Sequence, residues 1–353
     1  MSPEDDRLMI KYILIILMCI ALVGCLNEDY PDPPEFSAYV RNPVLSRGDS
    51  NQWDNECIVS PYVIWDGDLC YMFYTGFNAD GPASIGLAIS TDGYHFSKLS
   101  VNPVLTPAGK GFDAFSVGGP IVVREDTCWV MYYNSLEISG FGPGPFIGRA
   151  TSSRPEGPWH RSEQPILTTG SKGEWDSYYI FPTSLIVGED GTRMLYYSGG
   201  NGFDFSSKGA IGLATSTDGK TWKKHNKPKT SGKPYAESDP VLLPGKEDEW
   251  DSDEIWTCNI ISKAGGYEAY YSGGKIGSTF EILSIGHAIS NDGIHWNKFR
   301  DNPMFRVEDD PFSQNKEAGL EGPFVIIHDS LYFMYYDYGT ILGSIGLATA
   351  PVQ

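Results

Sequence analysis

The sequence is poor in basic residues. It holds 26 Lys and Arg against 45 Asp and Glu, which gives a formal net charge of −19 at pH 7. Phosphate backbones and anionic lipid surfaces repel a chain this acidic. Nucleic acid and anionic membranes are therefore disfavoured as partners.

Cysteine and histidine are also scarce, with six of each. No Cys-x-x-Cys pair occurs, and no histidines accompany the cysteines at metal-ligand spacing, so neither a metal site nor a cofactor is predicted. Cys57, Cys70, Cys128 and Cys258 are interpreted as buried small hydrophobic residues. Disulfides stay open as an alternative if the chain is exported.

The sequence has one short apolar run, residues 12–23, and it is too short to span a membrane as a stable helix. The run ends in Leu22-Val23-Gly24-Cys25, which resembles a bacterial lipoprotein signal. The resemblance implies a signal peptide over residues 1–24, a lipid on Cys25 and a location in the outer membrane of the cell envelope. An ordinary cleaved signal is the alternative.

Residues 25–35 are acidic and Pro-rich, which predicts a tether. Glu28 and Asp29 stand shortly after the cysteine, as in the surface-export signal of Bacteroidota lipoproteins. That resemblance implies exposure at the cell surface.

What the sequence does contain is a repeat. An Ile-Gly-x-Ala motif occurs five times, beginning at Ile85, Ile147, Ile211, Ile285 and Ile345. An apolar run and an aromatic run precede each copy, and an Asp-Gly turn or its Pro-Glu-Gly substitute follows the first four copies. Asp-Gly between short apolar runs is a strong hairpin signal. Four short strands per copy predict one blade of a β-propeller.

The two ends of the chain complete each other. The motif Asn-Pro-Val-Leu follows the outermost strand of a copy at Asn102, and it already occurs at Asn42, where no full copy precedes it. The last copy ends after its third strand. The predicted fold is therefore an all-β, five-bladed β-propeller with four antiparallel strands per blade, spanning residues 36–353 as one domain, whose last blade is closed by the N-terminal strand. The predicted blades cover residues 53–102, 112–163, 175–238, 250–301, and 316–353 with 36–41.

Candidate site residues lie where the copies stop agreeing, at the heads of the innermost strands, which line the mouth of the central channel. We aligned the heads on a shared Asp, with Lys316 at that position in the last copy. The shared Asp is most simply a turn residue, although Asp54 and Asp176 are also kept as substrate-binding candidates. Just after it, four carboxylates break the repeat: Glu56, Asp253, Glu254 and Glu321. Four aromatic residues share their positions: Tyr178, Tyr179, Phe181 and Trp256.

Opposed carboxylates beside aromatic rings are the equipment of glycoside cleavage. One carboxyl group protonates the leaving oxygen, while the other activates water or attacks the anomeric carbon. Flat aromatic faces stack on the C–H faces of sugars. A carbohydrate substrate is therefore predicted, and a solvated acidic rim on an acidic protein is the alternative.

The Met-Tyr-Tyr strand, the Ile-Gly-Leu-Ala strand, the Ser-x-Asp-Gly-x-x-Trp turn and Asn-Pro-Val-Leu together resemble the five-bladed propeller glycosidases of families 43, 32 and 62, with the family 130 mannoside phosphorylases as relatives. The resemblance covers the whole propeller domain. Family 43 enzymes carry their acid in Glu-Gly-Pro, which implies that Glu321 is the general acid. The family's base, an Asp before Pro in the first blade, is replaced by Ser60.

The resemblance implies a glycoside hydrolase acting on poly- or oligosaccharide fragments. A glycan-binding propeller without activity and a mannoside phosphorylase are the alternatives. A phosphorylase needs basic residues for phosphate, and the strand heads offer only Lys316. A six-bladed sialidase is disfavoured by the number of copies.

Overall fold

The computed structural model describes residues 32–352, except 80, 126, 137–143, 203–207, 229, 276–282, 314–318 and 340–342. Pro34–Gln353 forms one compact unit. The predicted signal peptide, Cys25 and most of the tether lie outside the described residues, as does Lys316. Among the described residues, no helix is long and apolar enough to cross a membrane.

Five antiparallel sheets make up the unit, and each is one blade. Blade 1 consists of β2 (Cys57–Asp66), β3 (Leu69–Phe77), β4 (Ser84–Ser90) and β5 (Ser97–Lys98). Blade 2 consists of β6 (Ser116–Glu125), β7 (Cys128–Leu136), β8 (Phe146–Ser152), β9 (His160–Arg161) and the short β10 (Leu167–Thr168). Blade 3 consists of β11 (Tyr179–Val187), β12 (Arg193–Gly200), β13 (Ala210–Ser216), β14 (Lys223–Lys224) and the short β15 (Pro240–Leu242).

Blade 4 consists of β16 (Glu254–Lys263), β17 (Gly266–Gly274), β18 (Ser284–Ser290) and β19 (Asn297–Lys298). Blade 5 consists of β20 (Glu321–His328), β21 (Leu331–Asp337), β22 (Ile345–Pro351) and, from the start of the unit, β1 (Ser37–Ala38). Two 3-10 turns, Val307–Asp309 and Pro311–Ser313, precede β20. The five-bladed prediction is confirmed.

The closure of blade 5 by the N-terminal strand is also confirmed. Ser37 pairs with Thr349 in an antiparallel register. The side chain of Asn42 then accepts a hydrogen bond from Leu347 N and donates one to Leu347 O, as Asn102 does with Leu87 in blade 1. The N-terminal segment therefore makes the contacts that the chain after an outermost strand makes in blade 1. We call the junction between blade 5 and blade 1 the seam.

The shared Asp is a buried structural residue in each of blades 1 to 4. Its carboxylate accepts a hydrogen bond from a tyrosine of the second strand and pairs with a cation of the outermost strand. The sets are Asp54 with Tyr74 and Lys98, Asp113 with Tyr133 and Arg161, Asp176 with Tyr197 and Lys224, and Asp251 with Tyr271 and Lys298. In blade 5 Asp310 takes this part, accepting hydrogen bonds from Tyr336, Tyr338 and Asn42. Breaking a buried pair of this kind costs about 3–5 kcal/mol, so these sets tie each blade together.

The Asp-Gly turns lock neighbouring blades. Gly93, Gly219 and Gly293 have positive φ, which glycine adopts without strain. Each carbonyl accepts a hydrogen bond from a buried tyrosine of the preceding blade, in the pairs Tyr335 to Gly93, Tyr132 to Gly219 and Tyr196 to Gly293. The buried aromatic second strands therefore reach across the blade interfaces as well as filling the core.

Candidate active site

The five innermost strands begin at the same end of the ring. At each junction, the residue four places after the aligned position donates its N–H to a backbone carbonyl of the preceding blade. The pairs are Ile58 to Gly343, Val117 to Ala83, Ile180 to Gly144, Ile255 to Gly209, and Leu320 to Leu283, at 2.9–3.2 Å. The hydrogen bond from Leu320 joins blade 5 to blade 4. The hydrogen bond from Ile58 joins blade 1 to blade 5 and so closes the ring. The aligned strand heads therefore surround one mouth of the channel.

Each innermost strand bends a few residues after its head. The pairing register with the second strand shifts between Val59 and Tyr62, Gly118 and Ile121, Pro182 and Ser184, Ile255 and Thr257, and Glu321 and Phe324. Bulges of this kind turn side chains out of the regular pleat and are common beside active sites. Ser60 lies in the first bulge with φ of 55°, a strained conformation for a residue with a Cβ.

Three of the predicted aromatic residues form one cluster at the mouth. The ring centroid of Trp256 lies 5.6 Å from that of Tyr179 and 5.2 Å from that of Phe181. Tyr179 and Phe181 are buried, whereas Trp256 is half-buried. Tyr178, one residue before β11, is 55% exposed.

Glu254 lies beside this cluster. Its side chain is buried, and a Cβ placed on Gly209 would lie 2.9 Å from both Glu254 Oε1 and the Tyr179 hydroxyl. The two oxygens therefore converge on the backbone of blade 3. Asp253 stands one residue before the strand and is half-buried. Glu254 is the carboxylate whose oxygen converges with a hydroxyl group of the aromatic cluster.

Glu321 is half-buried at the head of β20, and the structure adds a second carboxylate to it. Asp337 ends β21 directly opposite Glu321 in the pairing register. Directly opposed residues in an antiparallel pair carry their side chains on one face, with Cβ atoms about 5 Å apart. The backbone around the pair is glycine: a Cβ on Gly322 would lie 2.6 Å from Asp337 Oδ2, and one on Gly339 would lie 3.0 Å from Glu321 Oε1. Glu321 and Asp337 are therefore packed as a pair, which we call the acid pair.

The environment of Asp337 favours a proton. The side chain is 2% exposed, and this burial raises the pKa of Asp337 to about 6, although the N–H groups of Ser60 and Gly339 act in the opposite direction. Ser60 N donates to Oδ2 at 2.9 Å across the seam, and Gly339 N donates to Oδ1 at 3.1 Å. Burial also raises the pKa of the Cys57 thiol, with further contributions from Asp337, Glu321 and Glu56. Negative charge is thus concentrated at the seam.

Asp337 was not predicted from the sequence, although a signal was present. The residue after the last tyrosine of the second strand is Thr75, Asn134, Ser198, Ser272 and Asp337 in blades 1 to 5. All five are buried. Only blade 5 has an ionisable group at this position. Asp337 is therefore found by the same comparison of copies, if the ends of the second strands are compared as well as the heads of the innermost strands.

Other predicted residues lie elsewhere. Asp54 and Asp176 are 1% and 0% exposed, and their carboxylates are taken up by the tyrosine and lysine partners described above. Burial closes them off from a sugar, so neither is kept as a substrate-binding residue. Glu56 is exposed and stands one residue before β2. Within the described ranges, no group of three or more His, Cys, Asp or Glu side chains is arranged to hold a metal ion.

Solved structures match the whole propeller. A glycosyl hydrolase from Bacteroides ovatus superposes with a TM-score of 0.70 at 19% identity, over 91% of this chain and 95% of that one. A putative glycoside hydrolase from Parabacteroides distasonis gives 0.70 at 17% identity, over 91% and 98%. A structure reported with the finding that the GH130 family of mannoside phosphorylases contains hydrolases of β-1,2 mannosidic linkages in Candida mannan gives 0.69 at 19% identity, over 91% and 95%. The fold is that of the five-bladed propeller glycoside hydrolases.

Sequence similarity to curated proteins is more local, and no family model matches the chain. A 1,2-β-oligomannan phosphorylase of Thermoanaerobacter is 30% identical over 101 residues, which are 28% of this chain and 32% of the relative. A β-1,2-mannobiose phosphorylase of the same organism is 32% identical over 107 residues, 28% of this chain and 34% of the relative. The matched segment thus spans about a third of each relative.

Proposed function

We propose that the chain is a glycoside hydrolase that cleaves glycosidic bonds of oligosaccharides at the channel mouth, with Glu321 as general acid. The observation that carries the proposal is the acid pair, in which Glu321 faces the buried Asp337. Two adjacent carboxyl groups disfavour simultaneous ionisation, so the pair retains a proton to higher pH than an isolated carboxyl group does. An acid that is still protonated near neutral pH is what the leaving oxygen requires.

The remaining parts come from blades 3 and 4. In the proposed reaction Glu321 gives its proton to the glycosidic oxygen as the bond to the anomeric carbon breaks. Water adds to that carbon, and Glu254 accepts the proton that the water loses. Trp256, half-buried at the edge of the aromatic cluster, presents a ring for stacking against the sugar. The rings of Tyr179 and Phe181 pack against the ring of Trp256.

The proposed substrate class is a β-1,2-linked mannoside. It is suggested by the printed activities of the two curated relatives and by the linkage named with the matching GH130 structure. The relatives are phosphorylases, which makes phosphorolysis the second candidate. Hydrolysis is preferred because, two, three and five places after the aligned position, none of the described residues is basic. A phosphate co-substrate at this mouth would meet more carboxylates than cations, since Lys208 and Arg47 are the basic residues that hydrogen-bond the Ser252 and Glu56 carbonyls of the described strand heads.

The deciding experiment incubates the protein with β-1,2-mannobiose in phosphate-free buffer and in the same buffer with phosphate. Products are separated by anion-exchange chromatography. Hydrolysis yields mannose at the same rate in both buffers, and reaction in ¹⁸O-labelled water places the label on the new anomeric hydroxyl group. Mannose 1-phosphate formed only with phosphate would replace hydrolysis by phosphorolysis.

A third outcome belongs to the glycan-binding alternative. If calorimetry detects oligosaccharide binding but neither buffer gives product, the mouth binds without cleaving. Glu321→Gln is the control, because it removes the proposed proton and leaves the aromatic cluster in place.

A further inference from the structure

A second cavity lies on the outer part of blade 2, where its third and fourth strands meet the Asp-Gly turn of blade 3. Its volume is about 510 Å³. Four basic residues line it, namely Arg149, His160, Arg161 and Lys220, and no Asp or Glu does. The chain as a whole has a net charge of −19, so a cavity lined by basic residues alone among its charged residues is unusual for it. The question is whether the fold accounts for each of these basic residues.

Arg161 is explained by the fold. It is the outermost-strand cation of blade 2, and its Nε lies 3.1 Å from Asp113 Oδ2. Lys98, Lys224 and Lys298 take the same part in other blades. The charge of Arg161 is therefore offset inside the blade.

Arg149 is not explained by the fold. It stands third in the Ile-Gly-x-Ala motif, where blades 1, 3 and 5 have the buried residues Leu87, Leu213 and Leu347. Arg149 is half-buried, and its Nε is buried without a hydrogen-bond partner. Among the described residues, no carboxylate lies within 4.0 Å of its guanidinium group. Its cross-strand neighbour is Tyr132, whose pKa is raised by burial, although the charge of Arg149 and a hydrogen bond with it act in the opposite direction. A neutral phenol therefore contacts the guanidinium group and offers no compensating charge.

Blade 4 shows how the fold accommodates another polar residue at this position. His287 replaces the leucine there and is 2% exposed. Glu268 Oε2 on the neighbouring strand lies 3.9 Å from His287 Nε2. Although burial would raise the pKa of Glu268, the nearby His287 and hydrogen bonds from Lys263 and Tyr270 lower it to about 2. The residue that corresponds to Glu268 in blade 2 is Val130. In blade 2 the charge of Arg149 therefore has no counterpart of the Glu268 carboxylate beside it.

A half-buried guanidinium group without a carboxylate is costly unless something pairs with it. We propose that this cavity binds an acidic saccharide through its anionic group, with Arg149 as the anchor. Lys220, whose backbone is fixed by Asp218, adds a second cation at the rim. Thr151 and Ser162 line the same cavity and supply hydroxyl donors, and Pro165 offers an apolar surface to the carbon skeleton.

The anionic group is an oxyanion, which a guanidinium group binds with charge-assisted hydrogen bonds. A uronic acid carboxylate and a phosphate ester share that chemistry. The site is separate from the channel mouth, and the choice of a saccharide as its ligand rests on the proposed function. It gives a hydrolase, or a binding protein, a second contact with the same glycan.

The test is isothermal titration calorimetry of the whole propeller with four probes: galacturonate, mannose 6-phosphate, inorganic phosphate and mannose. We expect the wild-type protein to bind at least one of the two acidic sugars. Arg149→Leu, which restores the residue of three other blades, should weaken that binding about tenfold or more, the loss of one charge-assisted hydrogen bond. Lys220→Ala, a change at an exposed residue, should weaken it by a smaller factor.

The matched control is Arg154→Ala, which removes one positive charge from the same blade at a side chain that is 63% exposed. It should leave the affinity unchanged. Equal losses in the Arg149 and Arg154 variants would reduce the effect to net charge and overturn the site. So would wild-type protein that binds none of the charged probes, or an Arg149→Leu variant that binds them as wild type does.

The probes also distinguish the sources of the anion. Binding of galacturonate alone assigns a uronate, and binding of mannose 6-phosphate alone assigns a phosphate ester. Inorganic phosphate bound as tightly as either sugar would leave an anion site without a sugar contact and would contradict the saccharide part of the proposal. Turnover of neutral mannosides should be the same in Arg149→Leu and wild type, so a failure at the mouth stays separate.

Discussion

Glu321 and Asp337 have different roles in the acid pair because their surroundings differ. Asp337 is buried and receives two backbone N–H groups, whereas Glu321 is half-buried at the strand head. In the proposed reaction only Glu321 reaches the substrate. Asp337 acts through Glu321, as a positioning residue that keeps a proton on the pair.

The first prediction concerns Glu321→Gln. The amide keeps the size of the side chain and cannot give up a proton to the leaving oxygen, so turnover of a natural glycoside should fall roughly 10²–10⁴-fold. An activated aryl glycoside needs little protonation and should lose far less. The measurement is kcat on both substrates, with Glu56→Gln as the exposed control. Equal losses on both substrates would remove Glu321 from the acid role.

The second prediction concerns Asp337→Asn. Burial raises the pKa of Asp337 to about 6, so Glu321 faces a neutral side chain below that pH and a charged one above it. The amide of asparagine does not titrate. The inflection that Asp337 gives the kcat/KM profile near pH 6 should therefore disappear.

Ser198→Ala is the control for this variant, because it changes the same position in blade 3. Its pH profile should match that of wild type. An Asp337→Asn enzyme that loses activity equally at every pH would show a role in folding alone.

The sequence predicted part of this site because strand heads were the places searched. Glu254, Glu321 and Trp256 break the repeat there, and the structure places them at one mouth. Asp337 needed knowledge of register: only the pairing of β20 with β21 shows that the end of a second strand faces the head of the first. Asp54 illustrates the converse, because a residue shared by four copies serves what the copies share, which is the blade.

At the scale of elements, the strand β1 has only two residues and yet a large effect on the ring. It covers the edge of β22, and an uncovered edge exposes unpaired backbone groups to solvent and to other chains. Asn42 and the bridge from Leu45 to Ile345 continue the same closure. The repeat predicted this from the position of Asn-Pro-Val-Leu. The bulges were not predictable, because they depend on how neighbouring strands align rather than on any one residue type.

The third prediction is that deletion of the chain through Arg41 destabilises the ring. The edge of β22 is then unpaired, so the thermal midpoint should fall and the unfolding transition should broaden. Differential scanning calorimetry measures both. Deletion through Pro33 is the control, since the compact unit begins at Pro34. A protein lacking residues up to Arg41 that melts like this control would contradict the prediction.

At the scale of the whole molecule, the ring has five similar blades and an uneven distribution of chemistry. Blades 3 to 5 supply the aromatic cluster and the carboxylates of the mouth, whereas blade 2 presents Ser116 and Gly118 at the corresponding positions. Blade 2 instead carries the basic cavity on its outer part. A long acidic glycan could engage the two regions separately, since they belong to different parts of the ring.

The fourth prediction concerns the location of the protein in the cell. If Cys25 is lipidated, as the motif Leu22-Val23-Gly24-Cys25 suggests, labelled palmitate should be incorporated into the protein and the protein should sediment with membranes. Cys25→Ala should abolish both. Cys19→Ala is the control, because it lies inside the predicted signal peptide. Wild-type protein without label would refute the lipoprotein assignment.

The seam has a consequence for biosynthesis. A chain leaves the ribosome from its N-terminus, and its early blades can pack while the rest is still being made. Ser60 is produced among the first residues of the ring, yet its partner Asp337 arrives almost at the end. The acid pair therefore forms with blade 5, and Asp337 receives the N–H of Ser60 only when the two ends of the ring meet. An interrupted chain can hold the aromatic cluster and the basic cavity, and so could capture a glycan, but it cannot acquire the proposed proton donor.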